Sequence, residues 1–386
     1  MYKIISVAII SVFSMPAVHA AQWSLSGSVD PSLEYDDNIF MRDTNKIGDY
    51  HSRMSPTLSA AYNLENMNVS FNTGYVVDRY DESSELNTEN PFWRFNTQYQ
   101  TQRSSWGLGV SYQERTSRSL AADNTGDFET NSINTSETIA PSFSYQLTER
   151  DVLGVRGSYV KQESSTVDFS DSKSRSLTTS WTHKFTERLN GGVALTVSNN
   201  KSTGLASSSD DDTYNLSLTS QYEMSEIWSI NGSVGIRQLD SEQKDAANVT
   251  SNGSTTGSSL NVNVSYKKDV DTASIGVSRS ISPSIDGGVN EIDKFSINWS
   301  RDLSDVLSTS IRASIQQTSS ARVNSSDKRE NISVSPAINL KLSPDASIAL
   351  TYRYRQQKES VNDTRVSSNA VMLTFNYNWD GFSVSR

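Results

Sequence analysis

Large apolar residues alternate with small or polar residues along most of the chain. From Trp106 to Tyr112 every second residue is large and apolar, and the residues between them are Gly or Ser. Successive side chains of a β-strand point to opposite faces, so this spacing predicts a strand with one apolar and one polar face. The same alternation recurs in eighteen segments, which predicts an all-β protein.

The eighteen predicted strands are joined by connections that tend to alternate in length. The strands cover residues 22–36, 49–64, 67–82, 88–102, 105–120, 130–146, 152–166, 170–186, 190–204, 212–225, 228–243, 255–269, 273–288, 290–304, 307–323, 327–343, 347–361 and 364–380. Longer polar loops fall at 37–48, 83–87, 121–129, 205–211 and 244–254, and the remaining connections are short. Outer-membrane barrels have short periplasmic turns and longer extracellular loops, so both chain ends are predicted to be periplasmic.

Composition favours a membrane barrel over a β-sandwich or a disordered chain. Only 35% of the 386 residues are hydrophobic, which is low for a soluble core, whereas 7 Trp, 16 Tyr and 12 Phe are too many for a solvated coil. An apolar face that meets lipid and a polar face that lines a wet lumen account for both facts. We therefore predict a single closed antiparallel transmembrane β-barrel of about eighteen strands without a plug domain.

The start of the chain predicts export. Residues 1–20 combine Lys3, a short apolar run and a Val18-His19-Ala20 ending, which is typical of a signal peptide. Residues 21–386 are then the barrel domain, and the Gram-negative outer membrane is the predicted location. Six tryptophans fall near strand ends on the predicted periplasmic side, where indole rings favour the lipid interface: Trp23, Trp106, Trp181, Trp228, Trp299 and Trp379.

The polar face of the predicted strands is rich in cations. By the phase of the apolar residues, the candidate pore-lining residues are Arg94, Arg115, Arg156, Arg237, Lys267, Arg312, Lys341, Arg353 and Arg355. A cationic lumen attracts anions and focuses the field along a pore. The alternative is that these side chains pair with inward carboxylates such as Glu34 and Asp78 and impose no selectivity.

Enzymatic and cofactor-dependent functions find little support in the sequence. There is no cysteine, and the three histidines provide almost nothing for a metal or haem site. His51 near Asp49 and Ser52 is a weak catalytic candidate, since a lone His among polar residues is usually solvated. We predict no catalytic residue, no metal, no cofactor and no nucleic-acid partner for this chain of net charge −10.

The end of the first predicted strand resembles a known family. The residues Tyr35, Asp36, Asp37, Asn38, Ile39 and Phe40 resemble the opening motif of the β-barrel porin type 2 family. That resemblance implies an outer-membrane barrel associated with exopolysaccharide or capsule export, including export by biofilm loci. From the residues alone, Asp36, Asp37 and Asn38 are expected to hold a turn with their side chains.

Two main functions fit these features of the sequence. The first is a conduit or partner in exopolysaccharide export across the outer membrane, and the alternative is a general or anion-preferring diffusion porin. A structural or adhesive barrel that presents its loops is a third possibility. The predicted partners are outer-membrane lipid, the barrel-insertion machinery and, for the export function, periplasmic polysaccharide-export components.

Overall fold

The computed structural model describes residues 22–121, 125–167, 169–205, 207–245, 247, 249–285, 287–321, 328–360 and 363–385. Over these residues the chain forms a closed antiparallel barrel in which the first and last strands pair, from Gln22 opposite Ser385 to Val29 opposite Tyr377. The barrel has eighteen wall strands, as the sequence predicts. The predicted signal peptide lies outside the described residues.

The strands are β1 (Gln22–Val29), β2 (Ser32–Asp36), β3 (Asp49–Met54), β4 (Thr57–Asn63), β5 (Met67–Tyr80), β6 (Thr88–Gln100), β7 (Ser104–Thr116), β8 (Ile133–Gln146), β9 (Asp151–Ser164), β10 (Asp171–Lys184), β11 (Leu189–Thr203), β12 (Ser207–Glu223), β13 (Trp228–Asp245), β14 (Thr250–Lys268), β15 (Asp271–Pro283), β16 (Val289–Asp302), β17 (Leu307–Ser320), β18 (Lys328–Lys341), β19 (Ala346–Glu359) and β20 (Thr364–Ser385). A short helix, α1 (Ser117–Ala121), and a 3-10 turn (Ser84–Leu86) complete the described elements. No helix among the described residues is long and apolar enough to cross a membrane.

Two proline residues explain why twenty strand segments make eighteen wall strands. Pro31 separates β1 from β2, and Pro56 separates β3 from β4. Proline has no N–H to donate to a ladder, so each interrupts its strand. The carbonyl groups still bind the neighbouring strand, because Phe375 N donates to Pro31 O at 2.9 Å and Tyr75 N donates to Pro56 O at 3.3 Å.

The apolar side chains face outward between two aromatic rims. Near the end with the short turns, Trp106 packs against Phe143 with ring centroids 4.3 Å apart, and Trp228 against Tyr266 at 4.8 Å. Toward the loop end, Tyr35 packs against Tyr50 at 4.9 Å. The outward side chains between the rims are exposed in the isolated chain, which fits a surface that lipid covers.

The structure corrects several predicted boundaries. Residues 117–120, predicted as the end of the strand 105–120, belong to α1 (Ser117–Ala121). Most of the predicted loop 205–211, including Asp210 and Asp211, lies inside β12, and β13 and β14 likewise extend through most of the predicted loop 244–254. The last strand continues beyond the predicted end at residue 380 to Ser385, and Gly381 adopts a φ of 56° within it.

The buried residues are concentrated at the loop end, where three segments fold inward. These are the first loop (residues 37–48), the third loop (residues 117–121 and 125–132) and the upper part of the β15–β16 hairpin (residues 280–285 and 287–292), named here the flap. Large apolar residues buried there include Ile39, Met41, Phe128, Leu239, Ile285 and Val289. The packed interior is therefore at the mouth of the barrel.

Candidate functional site

The first loop begins with two carboxylates that fasten it to β20. The Asp36 carboxylate accepts hydrogen bonds from Asn38 N at 2.9 Å and from Ser368 Oγ at 2.6 Å. Asp37 Oδ1 accepts from Asn369 N, and Asp37 Oδ2 accepts from Asn369 Nδ2, each at 2.8 Å. An Asx side chain that binds the backbone two residues on forms a turn, so Asp36 starts the turn that leads into the loop.

Asn38 closes this turn from inside the protein. Its side chain is fully buried, and its amide nitrogen donates to Arg42 O at 2.7 Å and to Ser367 O at 2.9 Å. Its amide oxygen accepts from Arg42 N at 3.0 Å. The Tyr35–Phe40 segment thus anchors the first loop through polar contacts, while Tyr35 itself is exposed on the outer wall.

The third loop contacts strands that lie about a third of the way around the barrel from its own strand. It leaves β7, yet Gln357 Nε2 on β19 donates to Gly126 O at 3.1 Å, and Arg329 on β18 donates to Thr125 O. Phe128 lies under the Arg355 guanidinium, 5.3 Å from the ring centroid. Since β20 and β1–β6 separate β19 from β7 around the wall, the loop must cross the mouth of the lumen.

The first and third loops form one unit, named here the cap. Arg118 of α1 donates to Ile39 O at 2.9 Å and also to Phe128 O. Arg42 binds Glu129 through two hydrogen bonds of 2.6 and 3.0 Å. Phe40 lies beneath both guanidinium groups, at 4.7 Å from Arg42 and 5.1 Å from Arg118. The two loops are therefore expected to move together.

The charges in the cap shift the pKa values of its carboxyl groups. The hydrogen bond from Arg42, together with its positive charge, lowers the pKa of Glu129. Burial acts to raise the pKa of Asp127, but hydrogen bonds from Thr130 and from Glu129 N outweigh it and lower that pKa. Both groups are therefore ionised through the neutral range.

A cavity of about 770 Å³ lies in the lumen beneath the cap. Its apolar lining includes Ile39, Leu86 and Phe128. Among the described residues, six arginines line it: Arg53, Arg94, Arg115, Arg118, Arg353 and Arg355. The carboxylates in its lining are Glu34, Asp36, Asp78 and Glu114.

Two of these arginines are held by buried carboxylates. Arg353 binds Glu34 at 2.5 Å, and Arg355 binds Asp36 at 2.6 Å. Asp36 is 2% exposed and Glu34 8% exposed. Water therefore could not solvate either carboxylate well enough to replace its arginine. On the neighbouring strands, where His51 lies directly opposite Glu34, Asp78 binds His51 Nε2 at 2.7 Å and lies 3.8 Å from Arg53.

Arg94 and Arg115 differ from this pair. Both side chains are exposed to the lumen, and within the described part of the chain neither forms an ion pair. Their positive charge is consequently available to a solute. Glu114, next to Arg115, is engaged by the hydroxyl group of Tyr112.

The other predicted pore-lining residues lie outside this cavity. Strand register places Arg156, Lys267, Arg312 and Lys341 on the face opposite the exposed apolar side chains, and all four are exposed. Arg237 is only 5% exposed and binds Glu291 of the flap at 2.6 Å. It is therefore part of a packed contact rather than of an open wall.

The flap covers the inner face of β11–β14. Its tip reaches β11 and the loop before β10, because Gly288 N donates to Ser202 Oγ at 3.2 Å and Ser170 N donates to Ile285 O at 2.7 Å. Together, the flap and the cap narrow the loop end of the lumen from two sides.

The alternation of apolar and polar residues does not predict the roles of Arg42 and Arg118, or the contact of the third loop with β18 and β19. The one signal of a buried contact in that loop is a Phe within the polar segment 121–129.

Sequence comparison does not identify a family for this chain. No family model matches the sequence, and no curated protein matches it. The resemblance of Tyr35–Phe40 to a porin family therefore remains a local one.

Solved structures of outer-membrane barrels are similar to this chain in fold. The barrel of OccAB4 from Acinetobacter baumannii superposes with a TM-score of 0.51 at 10% identity, covering 96% of this chain and 100% of that chain. The ferric citrate transporter FecA gives 0.52 at 11% identity over 86% of this chain, and the siderophore receptor PiuA from Acinetobacter baumannii gives 0.50 at 9% over 92%. This chain spans 82% of PiuA and 60% of FecA. The fold is that of outer-membrane β-barrel proteins.

Proposed function

We propose that the protein is an outer-membrane channel through which small hydrophilic solutes diffuse, with anions favoured over cations. The observation that carries this proposal is the contact of the third loop with a distant part of the wall, at Gln357 on β19 and Arg329 on β18. A loop fixed across the mouth would limit the size of the solutes that diffuse past it. Both chain ends and the short turns are proposed to face the periplasm.

The preference for anions is proposed from the charges beneath the cap. The six cavity arginines exceed the four lining carboxylates, and Arg94 and Arg115 have no ion-pair partner among the described residues. In a narrow lumen with low-dielectric walls, such an excess raises the local concentration of anions. Small carboxylates and phosphates are the solute class that exposed guanidinium groups bind best.

The experiment that tests this function compares the parent with a variant that lacks the third loop. Ser117 N donates to Ser132 O at 2.9 Å, so the ends of the loop are adjacent and a short Gly-Asn-Gly link can replace residues 118–131. In planar bilayers we expect the parent to conduct with anion preference and the variant to show a larger conductance. In liposome swelling, the parent should pass monosaccharides and exclude oligosaccharides that the variant admits.

A parent protein that does not conduct, or that admits long oligosaccharides as readily as the variant, would contradict the proposal. The shift in gel mobility on heating controls for correct folding, because a closed barrel resists detergent until it is heated.

Exopolysaccharide export is a second candidate, supported by the resemblance of the Tyr35–Phe40 segment. A polymer would have to displace the cap, which the contacts of Asn38 and Gln357 hold in place. A deletion strain separates the two functions. Loss of surface polysaccharide with normal uptake of small anions favours export, and the reverse favours diffusion.

A further inference from the structure

Four cations lie side by side on the outer surface of β9–β11. Lys173 is directly opposite Lys161 on one neighbouring strand and Lys201 on the other, and Arg175 follows two residues along β10. We name these residues the basic row. Like charges directly opposite one another in a sheet destabilise it, so this arrangement calls for a compensating partner.

The basic row faces the surroundings of the barrel and not its lumen. Leu177 and Val197 lie on the same face in the same register, and they are 50% and 39% exposed. The residues of opposite phase, Ser172 and Ser202, are buried under the flap on the inner face. The four cations consequently cannot contribute to the charge of the pore.

Ion pairs within the chain satisfy only the ends of the row. Lys161 binds Glu163 at 2.8 Å, and Lys201 binds Asp210 at 2.7 Å. Lys173 and Arg175 are exposed, and in the described ranges of the chain neither forms an ion pair. The Arg175 guanidinium rests against Tyr159, 5.9 Å from the ring centroid. Four outward carboxylates surround the row, and each has a partner in the chain: Glu163 and Asp210 bind the two end lysines, Asp171 accepts from Ser164 N, and Asp212 accepts from Asn199 Nδ2. An anion placed over Lys173 and Arg175 would therefore meet the two cations of the row that form no ion pair in the described chain.

The position of the basic row along the barrel axis indicates which kind of anion would bind to it. Along β10 the outward side chains change from Lys173 and Arg175 to Leu177 and then to Trp181, and the last two are 50% and 41% exposed. Cations therefore stand just beyond the apolar surface that lipid chains cover. A phosphate on a lipid head group satisfies the cations while its acyl chains pack on Leu177 and Val197.

We propose that the basic row binds the phosphate of an outer-leaflet glycolipid whose acyl chains lie on the apolar wall of β9–β11. The proposal rests on the proposed orientation of the barrel, in which the loop end faces outward, and it does not depend on what the channel conducts. A free phosphate ion would gain only the charge contacts, because the row is solvent-exposed. The lipid adds the burial of apolar surface, which favours the lipid as occupant.

The test measures lipid binding to the purified, folded protein in detergent micelles by native mass spectrometry. The probes are lipid A with both phosphates and the same lipid after phosphate removal, and inorganic phosphate serves as a competitor. We expect the parent to prefer the phosphorylated lipid. The variant K173Q/R175Q breaks no ion pair of the described chain, and its affinity for that lipid should fall about fivefold for each cation removed.

Two further variants separate a binding site from a general effect of charge. The variant R150Q/R188Q removes the same charge from exposed turns at the other end of the barrel, and it should bind lipid A like the parent. The variant K173R/R175K keeps both charges and should retain most of the affinity. Equal binding by K173Q/R175Q and the parent, or equal binding of the two lipids by the parent, would overturn the proposal. Displacement of the lipid by millimolar inorganic phosphate would do so as well, because the site would then recognise the free ion.

Discussion

The Glu291 carboxylate lies 2.6 Å from the Arg237 guanidinium, although strand register assigns the two residues to opposite faces of the sheet. Arg237 has the inward phase of β13, next to the exposed Ile236, whereas Glu291 shares the outward phase of Phe295. They meet because the sheet separates between β14 and β15 at the loop end, while β16 stays paired with β17 as far as Asn290 and Ser320. Pairing of β14 with β15 stops at Leu260 and Arg279, while β15 and β16 stay paired as far as Pro283 and Val289.

The flap therefore turns its outward face onto the inner face of its own sheet. This contact is largely polar, with Arg237, Ser202 and Thr213 buried beside Leu239 and Ile285. Such an interface gains less from apolar burial than a hydrophobic one of the same size. Its geometry consequently depends on a few polar contacts, among which the Arg237–Glu291 ion pair holds a buried guanidinium.

Replacing Glu291 with Gln is expected to release the flap. Arg237 would keep its charge at 5% exposure without a carboxylate, and removing one partner of a buried pair costs about 3 kcal/mol. In single-channel recordings we expect frequent transitions to a higher conductance. The control is Asp293→Asn, which breaks the Arg279–Asp293 pair of the same hairpin but leaves the Arg237–Glu291 pair intact, and it should keep the conductance of the parent. Identical traces for the two variants would contradict a role for this pair.

A disulfide across the flap tip is expected to have the opposite effect. A Cβ atom built on Gly287 lies 3.8 Å from Cβ of Ser170, within the range that disulfides require. The chain has no cysteine of its own, so the variant Ser170→Cys/Gly287→Cys reports on this contact alone. The oxidised form should show a steady conductance, and reduction should restore fluctuations. The single variant Gly287→Cys controls for strain at its φ of 97°.

The strands of the wall could be predicted from sequence because lipid imposes one simple rule on them. Every second residue between the rims must be apolar, so β7 and β20 were recognisable from their alternation alone. The flap keeps the same alternation, and for this reason it was predicted as ordinary wall. Charged residues in the lipid-facing phase, such as Glu291 and Asp293, do not reveal it, because Lys173 and Arg175 occupy the same phase on a strand that stays in the wall.

The cap was harder to predict because its contacts join distant parts of the sequence. Phasing the strands assigned Arg353 and Arg355 to the lumen, but it could not pair them with Glu34 and Asp36, more than 300 residues away. No local sequence pattern predicts that the segment around Gly126 contacts Arg329 and Gln357. Strand phase predicts which way a side chain points, whereas its partners depend on how the barrel closes.

Replacing Gly126 with Ala is expected to dislodge the third loop. Gly126 has a φ of 76°, and an added Cβ would lie 2.5 Å from Arg329 Cδ. Backbone strain at residue 126 and the close contact with Arg329 would both destabilise the present position of the loop, at a combined cost of roughly 1–3 kcal/mol. We expect a larger conductance and faster swelling of liposomes in oligosaccharide solutions. Gly109→Ala, on the lumen face of β7 with an Asn96 oxygen at 3.3 Å as its nearest neighbour, should leave both unchanged.

The cap is expected to loosen in acid. Because the pKa of Glu129 is held below its ordinary value of 4.5 by Arg42, the folded cap favours the ionised carboxylate. The stabilisation is therefore complete above the ordinary pKa and is lost as the pH falls through the lowered one. Asp127, whose pKa is also lowered, adds to the effect in the same direction.

The measurement is channel conductance as the pH is reduced from neutral to below the ordinary Glu129 pKa of 4.5. We expect a constant conductance followed by a rise in the acidic range. Glu129→Gln should show the higher conductance already at neutral pH and a smaller acid response. Asp43→Asn, in the same loop and bonded to its neighbour Thr44, should behave like the parent. A parent conductance that does not change with pH would rule out a role for this ion pair.

Ion selectivity and barrel stability are expected to depend on different arginines. Arg94 and Arg115 are exposed without ion-pair partners in the described structure, so the variant R94Q/R115Q should lose much of the anion preference and keep the heat stability of the parent. The variant R353Q/R355Q leaves Glu34 and Asp36 buried without their cations, so it should unfold at a lower temperature.

The two variants remove the same formal charge, which makes each the control for the other. Reversal potentials across a salt gradient give the selectivity, and the temperature of the gel-mobility shift gives the stability. The selectivity of the parent should weaken at high salt, since ions screen charges over about 10 Å at 0.1 M and over about 3 Å at 1 M. If R94Q/R115Q kept the full anion preference, the excess of arginine beneath the cap would not govern selectivity.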